Sequence, residues 1–209
     1  MEDHLDDVTP HPRDVTLRDT SGQLLLVPLH RADLAELAEV LDRTFTDPAL
    51  GWRMYDLDRA SDAVRLMASA HGTRNAVFWA VLCDQQTVGV FGVTRHLGTG
   101  GGVATTTYLD GPVRGTGLNG ELKNLVRDGA AQGGVRLVAS VARDNLRSNA
   151  AMRSLVAAEP TPVTEPCAPE VNLYTFPLSP SASGHWPARA VDIVAGLLEE
   201  LTGPQVLAA

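Results

Sequence analysis

The chain has 209 residues, of which 44% are hydrophobic and 20% charged, and it carries a formal net charge of −8 at pH 7. This length and composition are typical of one soluble globular domain with a substantial core. The negative charge argues against a nucleic-acid partner, because nucleic-acid-binding surfaces are usually basic. Cys83 and Cys167 have neither metal-binding nor redox spacing, no apolar run is long enough to span a membrane, and the acidic N-terminus lacks a signal-peptide pattern. We therefore expect a cytoplasmic protein without a metal or a membrane partner.

The N-terminal third predicts a loose arm followed by strands and helices. Residues 1–13 are acidic and contain two prolines, which indicates a flexible arm. Two strands, 15–18 and 23–29, flank a turn-rich tetrapeptide. Helices are predicted over 32–45 and 61–70, because apolar residues recur there at intervals of three and four positions.

The segment 46–59 between these helices is irregular and contains Trp52, Arg53 and Tyr55. Aromatic residues in an otherwise polar loop are typical of a ligand pocket. The alternative interpretation is that Trp52 and Tyr55 only tether the loop to the core. Both interpretations stay open, and these three residues are the candidates for substrate binding.

The middle of the chain predicts a β-hairpin and a further central strand. Strands 76–82 and 87–94 flank the short polar turn Asp84-Gln85-Gln86. A glycine-rich connection over 97–102 then leads to a threonine-rich strand over 103–109.

Strand 103–109 runs into a glycine-rich loop, and a helix is predicted from 121 to about 131. The loop residues are Arg114, Gly115, Thr116, Gly117, Leu118 and Asn119. The first N–H groups of a helix lack partners and the helix dipole is positive there, so this junction favours an anion, most often a phosphate. The alternative is a flexible turn whose glycines only satisfy backbone geometry. The spacing matches neither of the usual nucleotide-binding loops, G-x-x-x-x-G-K-[ST] and G-x-G-x-x-G.

The C-terminal part predicts alternating strands and helices up to residue 201 and a tail over 202–209. The predicted elements are a strand over 135–141, a helix that ends near 155, a loop over 158–170, a strand over 171–176, a Pro/Ser linker over 177–184 and a helix over 187–201. This order favours one domain over 14–201, of the α/β (α+β) class, with a mixed sheet and helices on both faces.

Two motifs in this context resemble the GNAT acetyltransferase family, and within it the RimJ/RimL-like branch. The branch pattern R-G-T-G-x-N-x-E-x-K is matched by Arg114, Gly115, Thr116, Gly117, Asn119, Glu121 and Lys123. Residues 145–155 resemble the second pattern, N-x-R-S-x-x-A-I-x-x-L. Val156-Ala157 stands where the branch has Gly-Ala, so the turn after this helix must differ. The resemblance covers about residues 15–201 and implies a mostly antiparallel sheet that is splayed at the cofactor site.

The resemblance implies acetyl-CoA as the co-substrate. Backbone N–H groups of residues 114–119 would hold its pyrophosphate, and pantetheine would lie in the gap between the strands that precede the two motifs. An N–H group of Tyr108 or Leu109 would polarise the thioester carbonyl. Asn145 would hydrogen-bond the pantetheine, or alternatively would only cap the following helix.

The catalytic groups are less defined by the resemblance. Ser148 and Tyr174 are the candidate donors to the departing thiolate, and Ser148 is also a candidate cofactor contact; the alternatives are a helix-surface serine and a strand aromatic. Strand 103–109 carries no carboxylate to act as base. His96 is the candidate base because its usual pKa suits that role. The alternatives are Asp84, Asp56, Asp58, a water molecule, or simple positioning of a neutral amine.

The resemblance therefore predicts direct transfer of an acetyl group to a primary amine in a ternary complex. The acceptor is a peptide or protein N-terminus, or a small amine such as an antibiotic or metabolite, and the protein is a monomer or homodimer. Two alternatives stay open: a CoA-binding or interaction module without transferase activity, and an acyltransferase that uses another donor.

Overall fold

The computed structural model describes residues 11–45, 59–71, 73–97, 101–163 and 170–203. Within these ranges eight strands form one sheet, and five α-helices pack on it. The strands are β1 (Leu17–Arg18), β2 (Leu24–Pro28), β3 (Ala76–Cys83), β4 (Gln86–Arg95), β5 (Val103–Leu109), β6 (Leu137–Ala142), β7 (Thr161–Val163) and β8 (Val171–Thr175). The helices are α1 (Leu34–Phe45), α2 (Ala60–His71), α3 (Leu118–Gly133), α4 (Leu146–Leu155) and α5 (Ala188–Thr202).

The sheet is mixed and mostly antiparallel, with the strand order β1-β2-β3-β4-β5-β6-β8-β7. Every neighbouring pair is antiparallel except β5 and β6, which run parallel. The predicted hairpin is present: Asp84 and Gln85 turn between β3 and β4 with φ of 49° and 66°. Two successive positive φ values match the twist of a two-residue hairpin turn. The predicted fold class is confirmed.

Helices cover both faces of the sheet, as the sequence predicts. Side chains alternate along a strand, so β3 contributes to two cores. Phe78 and Ala80 pack beneath α1 and α2. Val77, Trp79 and Val81 belong to the larger core beneath α3 and α5. The site described below therefore lies between two independently packed layers.

The predicted loop over 158–170 contains one more strand, β7, at Thr161–Val163. Pro162 in this strand is the reason that the sequence indicates a loop. Proline is tolerated here because β7 is an edge strand that pairs only with β8 in the described part of the sheet.

Residues 11–13 of the predicted arm are described, and they contact the helices α2 and α5 and the strand β3. Pro12–Asp14 forms a short 3₁₀ helix. The Arg13 guanidinium donates to the carbonyls of His71, Thr73 and Ala76. His71 ends α2, and Ala76 begins β3. It also donates to Glu200 on α5, with an Nε–Oε2 distance of 3.2 Å.

Candidate functional site

The parallel strands β5 and β6 diverge soon after they begin. They pair only at Val103↔Leu137 and Ala104↔Val138. The Val103 N–H donates towards β6, to the carbonyl of Arg136 at 2.9 Å. Alternate residues of a strand direct their backbone groups to opposite edges, so the N–H and C=O groups of Thr107 and Leu109 face the gap. The predicted splay of the sheet is confirmed, and it leaves backbone donors and acceptors along one side of a cleft.

The glycine-rich loop closes the open end of this cleft. Gly115 and Gly117 have φ of 82° and 94°, a region that disfavours residues with a side chain, and α3 begins directly after Gly117. Within the described residues, the N–H groups of Gly115 through Asn119 donate to no protein acceptor. Consecutive unpaired N–H groups at the start of a 16-residue helix form a site suited to an anion.

Two side-chain contacts fix the position of the loop. Arg114 Nε donates to the Leu109 carbonyl at 2.8 Å, which ties the loop back to the end of β5. Asp110 pairs with Arg43 in the last turn of α1, at 2.7 Å between Oδ2 and the guanidinium, and also accepts from the Gly111 N–H. The anion-binding loop is therefore joined to the helix that precedes segment 46–58.

Two adjoining cavities occupy the cleft, with volumes of about 430 and 260 Å³. Both are lined by Thr107, Tyr108, Asn119 and Ser148. The charged side chains in their described lining are Arg114, Arg147 and Lys123, and this part of the lining holds no carboxylate. A cationic cleft in a chain of net charge −8 indicates an anionic ligand.

Lys123 lies on α3 at the wall of the smaller cavity and is only 5% exposed. Its Nζ donates to the hydroxyls of Thr105 and Thr107, at 3.0 and 3.2 Å. Burial lowers the pKa of Lys123 to about 8, because the charged ammonium loses its hydration. The family pattern contains Lys123 but assigns no function to it. The sequence does distinguish this residue in one way, because it is the only lysine in the chain.

The N-terminus of α4 forms the opposite wall. Asn145 Oδ1 accepts from the Ser148 N–H at 3.0 Å, so Asn145 caps the N-terminus of α4. Asn149 is buried, and its amide nitrogen donates to the carbonyls of Ala142 and Asn145, both at 2.8 Å. Asn149 is a second residue that motif matching leaves without a role, and it fixes α4 to the end of β6.

A family model of the acetyltransferase (GNAT) domain matches residues 23–155, which is more than half of the chain. The chain belongs to the GNAT acetyltransferase family. The resemblance seen in the sequence is thereby confirmed. No curated protein matches the sequence.

Solved GNAT structures share this fold. A RimL ribosomal L7/L12 alpha-N-protein acetyltransferase in complex with coenzyme A is 17% identical, with a TM-score of 0.57 and coverage of 77% of this chain and 97% of its own. The ribosomal-protein-S5-alanine acetyltransferase from Vibrio fischeri is 14% identical, with a TM-score of 0.59 and coverage of 78% and 96%. The microcin C7 self-immunity acetyltransferase MccE, in complex with acetyl-CoA and AMP, is 14% identical, with a TM-score of 0.58 and coverage of 73% and 91%. These identities show a common fold, and its neighbours include ribosomal-protein acetyltransferases of the predicted branch.

Most of the predicted cofactor residues of this GNAT chain meet at the cleft. The larger cavity is lined by Leu109, Arg114, Gly115, Gly117, Asn119 and Ser148, and the smaller one by Asn145, Asn119 and Ser148. Thr116 and Leu118 belong to the loop but line neither cavity: the Thr116 hydroxyl donates to the Val113 carbonyl, and Leu118 packs on the core. Trp52, Arg53 and Tyr55 lie outside the described residues, as do Asp56, Asp58 and Cys167.

The structure does not bring the other two predicted catalytic residues to the cleft. His96 follows Arg95, which pairs with Val103 at the start of β5, whereas the loop begins at the other end of that strand, about 20 Å away. The Tyr174 side chain is fully buried, and its hydroxyl donates to Asn149 Oδ1 at 2.8 Å. His96 thus lines neither described cavity and lies at the end of β5 opposite the loop, and Tyr174 supports Asn149.

The described residues show neither a metal site nor a membrane-spanning helix. They contain no group of three or more His, Cys, Asp or Glu side chains arranged to hold a metal ion. Among their helices none combines the length and apolar character needed to cross a membrane.

Proposed function

We propose that this GNAT chain transfers the acetyl group of acetyl-CoA directly to a primary amine. The observation that supports it most is the run of unpaired N–H groups from Gly115 to Asn119 at the mouth of a cationic cleft. These groups, with Arg114 and Arg147 beside them, provide the charge that a pyrophosphate requires.

In this proposal the residues of β5 align the acyl donor. The inward-facing N–H and C=O groups of Thr107 donate and accept hydrogen bonds along the pantetheine arm in the gap left by β6. The alternation of β5 favours Leu109 over Tyr108 as the N–H that polarises the thioester carbonyl, because Tyr108 directs its backbone groups to β4. Ser148 lines both cavities and is the candidate side-chain contact of the acyl donor on the opposite wall.

The amine attacks from the α1–α2 side, where Tyr108 and Thr44 line the described part of the larger cavity. The N–C bond forms as the C–S bond breaks, and the amine loses a proton. The described length of β5 has no carboxylate to take it, so we assign that proton to water, and an acceptor that is an ammonium in solution first loses one further proton there. His96 is left out of this step because of its position.

Calorimetry with acetyl-CoA and with CoA tests the cofactor site. Gly117→Glu places a carboxylate at the anion site and is expected to weaken CoA binding about tenfold or more, equivalent to ~1.4 kcal/mol. Gly134→Glu is the matched control, because Gly134 has φ of 62° at the other end of α3 and an added side chain also meets open space. A wild-type protein that binds neither ligand would remove the proposal.

The acceptor class is tested by thiol release with peptides that differ at the N-terminus and with small amines. The irregular segment predicted over 46–59, which carries Trp52, Arg53 and Tyr55, is the candidate acceptor-binding loop. Trp52→Ala is expected to raise the KM for the acceptor several-fold while the Kd for acetyl-CoA stays constant. Tight CoA binding without thiol release from acetyl-CoA or longer acyl-CoA thioesters would favour the alternative, a CoA-binding module without transferase activity.

A further inference from the structure

Lys123 is the only lysine among the 17 lysine and arginine residues of the chain. Lysine and arginine are both suitable for surface charge and for binding phosphate, and the other 16 of these residues are all arginine. They differ in one respect that matters inside a cleft: lysine can give up its proton near neutral pH when it is buried, whereas arginine cannot. The choice of lysine at this position therefore indicates proton transfer.

One N–H donor of the Lys123 ammonium has no acceptor among the described residues. An ammonium group has three N–H donors. Thr105 and Thr107 take two of them, and the described residues offer no third acceptor. The nitrogen lies in the wall of the smaller cavity, which it shares with Ser148 and Asn119. The third donor is therefore available to a ligand in the gap between β5 and β6.

The face of β5 on which Lys123 lies determines whether it is near the attacking amine or near the departing sulfur. Val103 and Leu109 of β5 pack in the core beneath α3 and α5, and Thr105 and Thr107 share their face of the strand. Tyr108 packs on the opposite face, beneath α1 and α2, from which the amine enters. Lys123 thus approaches the gap from the cofactor side, where the sulfur of the thioester leaves.

We propose that Lys123 is the proton donor to the thiolate that departs from acetyl-CoA, an assignment that rests on the proposed function. As the amine nitrogen bonds to the acyl carbon, the C–S electron pair moves to sulfur, and the Lys123 ammonium transfers one proton to it. The products are free CoA thiol, neutral Lys123 and an amide that still carries the extra proton of the amine. That proton passes to water, and Lys123 regains one from solvent, so the cycle is balanced.

The charged groups around Lys123 are consistent with this role. Thr105 and Thr107 on β5 are neutral, Tyr108 lies on the same cavity wall, and Arg114 and Arg147 line the adjoining cavity. No carboxylate in the described lining holds the proton on the amine. Burial lowers the pKa of Lys123 to about 8, so its ammonium gives up a proton more readily than an exposed lysine does.

The ionisation of the bound CoA thiol tests the proposal without an acceptor. We expect the ultraviolet thiolate absorbance of bound CoA to titrate about one pH unit or more lower in the wild type than in Lys123→Met, because a cation within a few ångströms favours the thiolate. Arg65→Met, on the exposed face of α2 and outside the described lining of both cavities, is the control and should retain the lowered value. Equal thiol titrations in the wild type and Lys123→Met would overturn the proposal.

Calorimetry on the same samples separates this proposal from the cofactor site itself. If Lys123→Met binds CoA and its thiol titrates as in the wild type, the proton donor is wrong while CoA binding stands. If the wild type does not bind CoA, both proposals fall together.

A single lysine also allows direct observation. Selective ¹³Cε/¹⁵Nζ labelling of lysine gives one side-chain NMR signal, and we expect CoA to shift its titration while desulfo-CoA, which lacks the thiol, does so to a lesser extent. Identical responses to the two ligands would contradict contact with the sulfur.

Turnover with an amine identified by thiol release then distinguishes proton donation from charge alone. Lys123→Met is expected to lower kcat about a hundredfold, and Lys123→Arg, which keeps the charge but not the labile proton, should not restore it. Full activity of Lys123→Arg would reduce the role of Lys123 to electrostatic support and overturn the assignment as proton donor.

Intact-mass measurement after incubation with acetyl-CoA adds a check, because an acetylated Lys123 would make it an acceptor and not a donor.

Discussion

At the scale of single residues, two buried polar side chains set the walls of the cleft. Lys123 binds two threonines of β5 from α3, and Asn149 joins β6, α4 and β8. Neither has a charged partner in the described contacts, so their neutral hydrogen bonds must compensate for the loss of water. A substitution at either residue should therefore change the stability of the whole domain.

Asn149→Ala is expected to lower the free energy of unfolding by about 2–4 kcal/mol, because it removes the side-chain acceptor of the buried Tyr174 hydroxyl and the amide donor to the Ala142 carbonyl. Tyr174→Phe removes a single hydroxyl and should cost about 1 kcal/mol. Urea denaturation of both variants and of the double mutant measures the coupling. Because Tyr174 donates to Asn149, the two losses should sum to more than the loss in the double mutant. Strictly additive values would contradict a shared network.

Lys123→Met is expected to raise the free energy of unfolding at pH 7, because the buried ammonium costs about 3 kcal/mol at most when its pKa falls from 10.5 to about 8. Below pH 8 the lysine is charged in both states, so this cost is fully present. Between pH 8 and 10.5 the unfolded state binds more protons than the folded state, and the wild type gains stability as pH rises. The difference between the two proteins should narrow over that range in urea titrations.

Arg65→Met is the control for this experiment, because Arg65 lies on α2 with its side chain 79% exposed. Its effect on stability should not change between pH 8 and 10.5. A constant difference between Lys123→Met and the wild type over the same range would show that the folded-state pKa of Lys123 is not lowered.

At the scale of elements, the helix that carries the anion site is held by a close contact with α5. A Cβ added at Gly129 of α3 would lie 2.8 Å from Val194 Cγ1 and 3.0 Å from the Ala195 nitrogen. This absence of a side chain lets the two helices approach each other. The contact positions the start of α3 relative to the cleft.

Gly129→Ala is therefore expected to destabilise the protein by about 1–3 kcal/mol through overpacking, despite the better helix propensity of alanine. Gly196→Ala on α5 is the matched control, because an added Cβ there meets no atom within 4 Å. It should raise stability by about 0.5–1 kcal/mol through propensity alone. Thermal unfolding of the two variants should shift in opposite directions, and a shift in the same direction would contradict the proposed close packing.

Elements with a strong periodic pattern are predictable from the sequence, and contacts between distant residues are not. The hairpin around Asp84 and the helices on both faces follow from local patterns. β7 is missed because Pro162 opposes a strand locally, and only its edge position, a tertiary property, permits it. His96 is chosen for its chemistry, and the register of β4 on β5 moves it away from the cleft. Lys123 gains its properties from burial against Thr105, which no local pattern reports.

At the scale of the whole molecule, the described sheet consists of two blocks, β1–β5 and β6–β8. Only the pairs Val103↔Leu137 and Ala104↔Val138 join them. In the proposed function, the acyl donor fills the remaining gap and supplies hydrogen-bond partners that a neighbouring strand would otherwise provide. Ligand binding should therefore protect the amide hydrogens of every second residue along the free edge of β5 from exchange with solvent.

CoA is expected to slow amide hydrogen exchange at Thr107 and Leu109, whose N–H groups face the gap, by about tenfold or more. Tyr108 is the internal control, because its N–H is directed to β4 in the absence of ligand. Exchange followed by NMR resolves the three neighbouring amides. Equal protection at all three positions would indicate general stabilisation, and no protection at Thr107 would remove pantetheine from this edge.

The lone lysine gives the chain a single peptide bond that a lysine-specific protease recognises, and this bond lies within the first half of the 16-residue helix α3. With Lys123 5% exposed, the protease must wait for that helix to unfold. One cut yields fragments 1–123 and 124–209, which separate the glycine-rich loop from α4. The cleavage rate, followed on a gel, therefore measures how often α3 unfolds. Ligands that bind in the cleft should slow cleavage in proportion to their affinity.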